Sequence, residues 1–180
     1  DYISAVDDLK KEKYIDDTKI GAVGASYGGY SVYYLAGMHD KRFATFIAHC
    51  GLFNLDSWYG TTEELFFANH DIGIPPTYNK KEISEISSTD QTNSSKNYDY
   101  IQNSPHQFVK NWHTPMLIFQ GEKDYRVPMG QGLEAFQALQ VKEIESRLVL
   151  FPDENHWIQS PQNGVFWQRQ YYDWLAKYLK

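Results

Sequence analysis

The feature that most constrains the fold is a short apolar run that enters a serine placed between glycines. The run "TKIGAVGA", residues 18–25, is too short for an independent helix and ends in a glycine turn, which predicts a buried strand. A helix from Gly28 to about His39 is predicted to follow. Residues 24–28, "GASYG", therefore form a G-x-S-x-G pentapeptide between a strand and a helix, the setting that a nucleophile elbow requires.

Ser26 is the residue to which this setting assigns chemistry. The turn is expected to hold Ser26 in a strained backbone conformation that exposes its hydroxyl, with Gly24 and Gly28 letting the strand and the helix approach. The backbone N–H of Tyr27 opens the helix, so it can face a developing oxyanion together with the positive end of the helix dipole. The alternative interpretation is a structural glycine turn with an inert serine. It is less favoured, because a strand enters the turn and a helix leaves it.

Three further apolar runs predict buried strands, each too short for an independent helix. They are "FATFIAHCG" at 43–51, "PMLIFQG" at 115–121 and "RLVLFP" at 147–152. Helical periodicity is found in three segments: from Tyr2 to near Tyr14, at 129–142 and at 162–180. Strands that alternate with helices predict one α/β domain over residues 1–180, with a parallel sheet of about four strands flanked by helices on both faces.

A polar segment interrupts this alternation at about 71–103. Its middle, "NKKEISEISSTDQTNSSKNYDY", is rich in serine and poor in aliphatic residues, which indicates a solvated excursion. Order is predicted to resume at "NSPHQFVKNW". There Ser104 is expected to cap a helix with its side chain, and Pro105 suits the first helical position.

Composition excludes several classes of function. A net charge of -6 and a pI near 5.5, without a cluster of Lys and Arg, argue against binding to nucleic acid. No apolar run approaches eighteen residues, so no membrane span is predicted. Cys50 is the only cysteine, and the sequence has neither an H-E-x-x-H motif nor a P-loop ending, so we expect no metal and no cofactor in catalysis.

A serine nucleophile needs a base within hydrogen-bond reach and an acid that orients the base. In this arrangement the acid and the base follow the serine in chain order, on loops that leave later strands. The third predicted strand runs into "GEKDYRVP", which nominates Asp124 as the acid. Glu122 lies two positions earlier and is the rival. The turn that ends at Asp124 favours the aspartate.

His156 is the candidate base, because the fourth predicted strand runs into "PDENHW" before the C-terminal helix. His49, at the end of the second predicted strand, is the one serious competitor. It precedes the acid in chain order, however, and a histidine of the core or of a pocket wall is the better interpretation of it.

Three motifs together resemble the catalytic domain of the prolyl oligopeptidase family: "GASYGGY", "GEKDYRVP" and "DENHW". The strings "DYRVP" and "HCGLFNLDSWYGTTEELFF" are most similar to the branch that contains acylaminoacyl peptidases and dipeptidyl-peptidase 5. The resemblance covers nearly the whole chain and is weakest at about 79–97. It implies an α/β-hydrolase fold and serine peptidase chemistry on a peptide substrate.

The resemblance also implies roles for individual residues. Ser26 would be the nucleophile, His156 the base and then the acid, and Asp124 the orienting carboxylate. Arg126 would reach the carbonyl of the second residue before the scissile bond. An aromatic pocket for the residue just before that bond, suited to small apolar side chains or proline, would be lined by Tyr27, Phe53, Trp58, Tyr59 and Val127. For each of these substrate-binding candidates, ordinary core packing or a surface charge remains an alternative explanation.

We expect this chain to be part of a longer one, because it opens at Asp1 inside a helical pattern. The resemblance implies an upstream β-propeller, further strands of the sheet and a second oxyanion donor. One such donor is worth roughly 2.7 to 4 kcal/mol in the transition state. Without the further strands, the edge of the strand at 18–25 is expected to pair with another copy of the chain.

Three hypotheses of function remain open at this point. The first is a serine peptidase that acts through an acyl-enzyme, in either a dipeptidyl or an acylaminoacyl mode. The second is an esterase, since the elbow is shared across α/β-hydrolases. The third is an inactive fragment that serves only as a folded or binding module. The segments "DYRVP" and "EELFF" favour the peptidase.

Overall fold

Four strands lie side by side in chain order and run parallel in a computed structural model, which describes residues 1–75 and 102–180. They are β1 (Gly21–Ala25), β2 (Thr45–His49), β3 (Met116–Gly121) and β4 (Ser146–Phe151). Gly24 is paired with Ala48, and Ile118 with Leu148. The predicted α/β class and the predicted sheet are confirmed, although β1 and β2 are shorter than the apolar runs that predicted them.

The helices in the described part of the chain are α1 (Tyr2–Leu9), α2 (Tyr27–Ala36), α3 (Leu55–Tyr59), α4 (Leu65–Asp71), α5 (Gly130–Val141) and α6 (Pro161–Leu179), with a 3-10 helix at Pro105–Asn111. Among them, no helix is both long and apolar enough to cross a membrane. The prediction that α1 continues to near Tyr14 is wrong. Ile3 and Val6 pack on the core, but Lys10 and Lys13 occupy the next positions of that face, so nothing apolar is left to bury.

Two hydrophobic clusters cover the two faces of the sheet. Side chains alternate along a strand, so Phe46 packs with α2 and α5 on one face, whereas Ile47 packs with α6 on the other. All six residues of β3 are buried. At the C-terminal end of the sheet, a third cluster gathers side chains around Trp58 and Val127. The core therefore fixes the sheet from both sides and leaves that end free for polar groups.

Ser104 does not cap the following helix with its side chain, so that prediction is wrong. Its hydroxyl instead accepts a hydrogen bond from the Leu55 N–H at 2.9 Å and bonds to the His106 ring at 2.7 Å. Pro105 does occupy the start of the helix, which is 3-10. Most of the polar excursion predicted at about 71–103 lies outside the described residues.

His39 is a buried polar group of the core. Its Nδ1 accepts a hydrogen bond from the Phe43 N–H at 3.2 Å, which places the ring proton on Nε2. Nε2 then donates to the Thr114 hydroxyl oxygen at 3.0 Å. The His113 ring stacks on it with centroids 4.8 Å apart. Burial, and then His113, lower the pKa of His39 from 6.5 to about 4. The folded state therefore favours the neutral form of the His39 ring.

We predict that His39 makes the stability of the fold depend on pH. The folded pKa of about 4 lies below the ordinary value of 6.5, so the contribution is complete above about pH 6.5 and is lost as the pH falls to about 4. Urea unfolding between pH 4 and 7 should show this slope in the wild type and a flatter slope in His39→Gln. The exposed His70→Gln should keep the wild-type slope, and an unchanged slope in His39→Gln would contradict the prediction.

The outer edge of β1 remains a predicted surface for self-association. Within the described residues β1 pairs with β2 alone, and Val23 is 48% exposed on it. We predict that the chain associates at high concentration and that Val23→Lys, which adds a charge to an edge strand, weakens the association. Sedimentation velocity over a concentration series measures both. A wild-type chain that stays monomeric at high concentration would show the prediction to be wrong.

Candidate active site

Ser26 occupies a sharp turn between β1 and α2. Its φ of 57° and ψ of -119° are a strained combination for a residue other than glycine. A Cβ at Gly24 would lie 2.1 Å from the Gly28 carbonyl oxygen, so only glycine fits at position 24. A Cβ at Gly28 would meet nothing within 4 Å, so the close approach requires a glycine at Gly24 and not at Gly28. The turn leaves Ser26 half-buried.

The start of α2 positions backbone donors beside Ser26. The Ser26 carbonyl accepts the Tyr30 N–H at 3.0 Å, so the helix is hydrogen-bonded from its first turn. The Tyr27 N–H is the first of the helix and has no acceptor within the helix, because a helix offers none to its first residues. The predicted oxyanion donor thus lies next to Ser26 in the chain, at the positive end of the α2 dipole.

Asp124 and His156 form a buried hydrogen-bonded pair. Asp124 follows β3 and is 2% exposed, and His156 follows β4 and is 7% exposed. The distance from His156 Nδ1 to Asp124 Oδ2 is 2.7 Å. The other carboxylate oxygen accepts the N–H groups of Arg126 at 3.0 Å and Val127 at 2.9 Å. A carboxylate that accepts at Nδ1 places the ring proton there, so Nε2 is free to act as a base.

The charge of Asp124 is stabilised by these donors. Burial by itself raises the pKa of the carboxyl group, but the hydrogen bonds from His156 and from the Val127 backbone outweigh it. The pKa of Asp124 is therefore held below its ordinary value of 3.8. The acid is ionised at neutral pH and can stabilise a protonated imidazole.

Glu154 anchors the loop that carries His156. Its carboxylate accepts the backbone N–H groups of Gln159 at 2.9 Å and Ser160 at 3.1 Å, and the side-chain amide of Asn163 at 2.7 Å. These bonds tie the loop to the first turn of α6. At its other side, a Cβ at Gly121 would lie 2.2 Å from the Asn155 carbonyl oxygen, so the end of β3 presses directly on the loop.

The two rival residues are not part of the pair. Glu122 is exposed, two positions before the buried aspartate. His49 lies at the end of β2, where its Nδ1 accepts a hydrogen bond from the Trp167 indole N–H at 3.1 Å. Burial lowers the pKa of His49. The geometry thus favours Asp124 as the acid and gives His49 a packing role.

A cavity of about 600 Å³ opens next to the elbow. Tyr27 and Trp58 line it, whereas Tyr59 and Val127 pack in the hydrophobic cluster that also contains Trp58, and the substrate contacts of all four stay predictions. Phe53 packs in the core against Tyr33, with ring centroids 5.7 Å apart, and its predicted role as a pocket residue stays a prediction. The remaining lining residues are Tyr30, Leu52, Leu55, Phe67, His70, Asp71, Ile72 and Asn103.

Arg126 lies on the loop of the acid and is paired with carboxylates. Its Nε is 2.7 Å from Glu64 Oε1, and a terminal nitrogen is 3.9 Å from Glu63. Its backbone carbonyl accepts the Trp58 indole N–H at 2.9 Å, which ties the cavity wall to the acid loop. The predicted contact of Arg126 with a substrate carbonyl stays a prediction.

Several residues of the site were missed by sequence reasoning. Tyr30 could have been found, since it is three residues after Tyr27 on a predicted helix and shares its face. Glu154 stands two residues before His156, but nothing in the sequence shows which backbone groups it binds. Cys50 was noticed only as a lone cysteine. Its side chain lies against the Asp124–His156 pair, a contact between residues far apart in the chain.

Comparison with known proteins decides the family. The sequence pattern described as "Prolyl oligopeptidase family" matches residues 1–180. The chain belongs to the prolyl oligopeptidase family. Among curated relatives in this family, dipeptidyl-peptidase 5 of Porphyromonas gingivalis is 49% identical over 180 residues, which is all of this chain and 24% of the relative. Dipeptidyl-peptidase 5 of Schizosaccharomyces pombe is 36% identical over 93% of this chain and 22% of the relative.

Solved structures show the same fold. The acylaminoacyl peptidase of Pyrococcus horikoshii matches 97% of this chain and 26% of its own length, with a TM-score of 0.80 and 24% identity. A puromycin-hydrolyzing peptidase of Mycobacterium tuberculosis matches 99% of this chain and 25% of its own length, with a TM-score of 0.80 and 20% identity. The chain spans about a quarter of the length of its relatives.

We predict that Glu154 is needed to position His156. In Glu154→Gln an amide N–H would face a backbone N–H, so at least one donor of the loop loses its acceptor. The rate at which a fluorophosphonate labels Ser26 should fall about ten- to a hundredfold, because the base is displaced. Asp153→Asn, at the exposed neighbouring carboxylate, is the matched control and should label at the wild-type rate. Equal rates for the two variants would rule out the anchoring role.

Proposed function

We propose that the protein containing this chain is a serine peptidase that cleaves short peptides through an acyl-enzyme, with Ser26, His156 and Asp124 as its triad. The observation that carries the proposal is the buried 2.7 Å bond between His156 and Asp124. The pair lies at the same end of the parallel sheet as the strained turn of Ser26, because all three residues follow the C-terminal ends of strands. Family membership supports the same chemistry.

In the acylation step His156 acts first as a base. Its Nε2 removes the proton from the Ser26 hydroxyl while Oγ attacks the carbonyl carbon of the scissile bond. Asp124 holds the proton on Nδ1 and stabilises the imidazolium that forms. The Tyr27 N–H donates to the carbonyl oxygen as it becomes an oxyanion. His156 then gives its proton to the departing amine, and the acyl group stays on Ser26.

Deacylation reverses the roles of the same groups. His156 removes a proton from water, the hydroxide attacks the ester carbonyl, and the proton returns to Ser26 as the acid product leaves. The surrounding fold stabilises the strained backbone at Ser26, because the Ser26 N–H donates to the His49 carbonyl at 2.9 Å and joins the turn to β2. The backbone of the turn is thus fixed relative to β2.

The cavity beside Tyr27 is the proposed site for the side chain that precedes the scissile bond. Its walls are largely aromatic and aliphatic, so burial of an apolar side chain is favoured. Trp58 is held by the Arg126 carbonyl, which keeps this wall in place relative to Asp124. We propose apolar residues as the preferred class at this position, and Arg126 as the contact for the preceding carbonyl.

We predict that a fluorophosphonate probe labels the 180-residue chain and does not label Ser26→Ala. The reagent reacts only with a serine that a nearby base activates. Circular dichroism of both chains shows whether they are folded. Labelling that survives in Ser26→Ala would assign the nucleophile to another residue. A folded wild-type chain that does not label would contradict a triad assembled within these residues.

The assignment of the acid has its own test. In Asp124→Asn the ring proton of His156 moves to the wrong nitrogen, and the labelling rate should fall by roughly 10⁴. Glu122→Gln removes the rival carboxylate from the same turn and should label within about twofold of the wild type. A large loss in Glu122→Gln, with Asp124→Asn unaffected, would reverse the assignment.

The peptidase and esterase hypotheses are separated by substrate. The full protein should hydrolyse an aminoacyl nitroanilide, because an amine leaving group requires the proton that His156 donates. A simple nitrophenyl ester needs no such proton, and its hydrolysis alone would favour the esterase. Comparing kcat/KM for the two substrates, each against Ser26→Ala, measures the preference.

A further inference from the structure

Three potential metal ligands meet behind the triad base. Cys50 Sγ, an Asp124 carboxylate oxygen and a ring nitrogen of His156 all lie within 4.8 Å of one another, and all three residues are buried. Zinc bonds are about 2.0 to 2.3 Å, so the sulfur has to move toward the pair, while His156 Nδ1 and Asp124 Oδ2, which are 2.7 Å apart, have to separate for the cation to lie between them. Thiolate, imidazole and carboxylate are together a donor set for zinc.

The backbone aims these groups at one another. Cys50 has a φ of 45°, a left-handed conformation that disfavours residues other than glycine. Its N–H donates to the Phe119 carbonyl at 2.9 Å, which fixes it at the end of β2 beside β3. On the opposite side, two backbone N–H groups hold Asp124 Oδ1 and leave Oδ2 for His156. The ligands are therefore pre-organised by contacts outside the cluster.

We propose that Cys50, Asp124 and His156 form an inhibitory site for a thiophilic divalent cation, with zinc as the prototype. Burial, and then the Asp124 charge, raise the pKa of the Cys50 thiol, so the thiolate forms only as the cation binds. Charge balance favours that state, since a thiolate and a carboxylate together neutralise a buried dication. Three protein ligands leave the fourth tetrahedral position for water. The bond between His156 Nδ1 and the Asp124 carboxylate is then replaced by two bonds to the cation.

The cation would block catalysis by changing the tautomer of His156. Nδ1 must offer its lone pair to the metal, so the ring proton moves to Nε2, and Nε2 can no longer accept the proton of Ser26. Cys50 loses its thiol proton to solvent and His156 keeps one proton, so each cation releases one proton overall. This inhibitory consequence rests on the proposed triad, whereas the metal site itself does not.

One other pair of ligands near the elbow could bind the same cation. His70 and Asp71 lie on the cavity wall, with His70 Nδ1 3.0 Å from Asp71 Oδ1. Both are at the surface, and a cation there would obstruct the cavity without touching Cys50. The variant His70→Asn removes this pair and serves as the matched control.

Cobalt spectroscopy tests the site without any reference to activity. Cys50 is the only cysteine of the chain, so a thiolate-to-Co²⁺ charge-transfer band reports on this residue alone. We expect the band in the wild type and in His70→Asn at one Co²⁺ per chain, its displacement by Zn²⁺ but not by Mg²⁺, and its absence in Cys50→Ser. A wild-type chain without the band would overturn the proposal. So would a band that develops only as the circular dichroism signal of the fold is lost.

Inhibition is measured on the same proteins. Zn²⁺ at a concentration that saturates the Co²⁺ site should slow fluorophosphonate labelling of the wild type and of His70→Asn at least tenfold. For Cys50→Ser and Cys50→Ala, each compared with its own metal-free rate, labelling should change less than twofold. Equal inhibition of the Cys50 variants would overturn the inhibitory role. Absence of labelling in every metal-free chain would instead refute the proposed triad and leave the cobalt result to decide the site.

Discussion

Burial of β2 and β3 on both faces is the constraint on which the rest of the structure depends. Helices cover both faces of these strands, so the strands stay parallel and end together at one edge of the sheet. Ser26 and Cys50 are the first residues past β1 and β2, and Asp124 and His156 follow β3 and β4 within a few residues. Cys50 and Asp124 are therefore positioned by strands that cannot move without opening the core, and Ser26 and His156 by the strands that pair with these two.

The loops beyond the strand ends are held by polar side chains rather than by regular structure. Asp124 binds two N–H groups of its own loop, and Glu154 binds two N–H groups of the His156 loop. Gln131 does the same for the segment between Leu52 and Leu55, two residues that line the cavity, since its Oε1 accepts the N–H groups of Phe53 and Asn54 at 2.9 Å each. Each acceptor is buried, so its donors would lose free energy if the loop opened. Asp124 is thus an anchor of its loop and the partner of His156 at once.

The same burial underlies both the proposed catalysis and the proposed metal site. A carboxylate and an imidazole that are buried in contact form a strong hydrogen bond, because few water molecules compete for it. A thiol sulfur within 4.8 Å of both groups adds the third ligand of the proposed metal site.

The sequence by itself determined the local elements and the identities of the chemical groups. Short apolar runs, glycine turns and helical periodicity are local properties, so they predicted the four strands and the longer helices, and they nominated Ser26, Asp124 and His156 as candidates. The helix end at Leu9, the use of Ser104 by Leu55, and the burial of Phe53 depended on neighbours distant in the chain, and only the tertiary structure decided them. The partners of Glu154 and the approach of Cys50 to His156 were decided in the same way. Contacts of this kind arise when strands align, because alignment brings together residues whose separation in sequence carries no periodic signal.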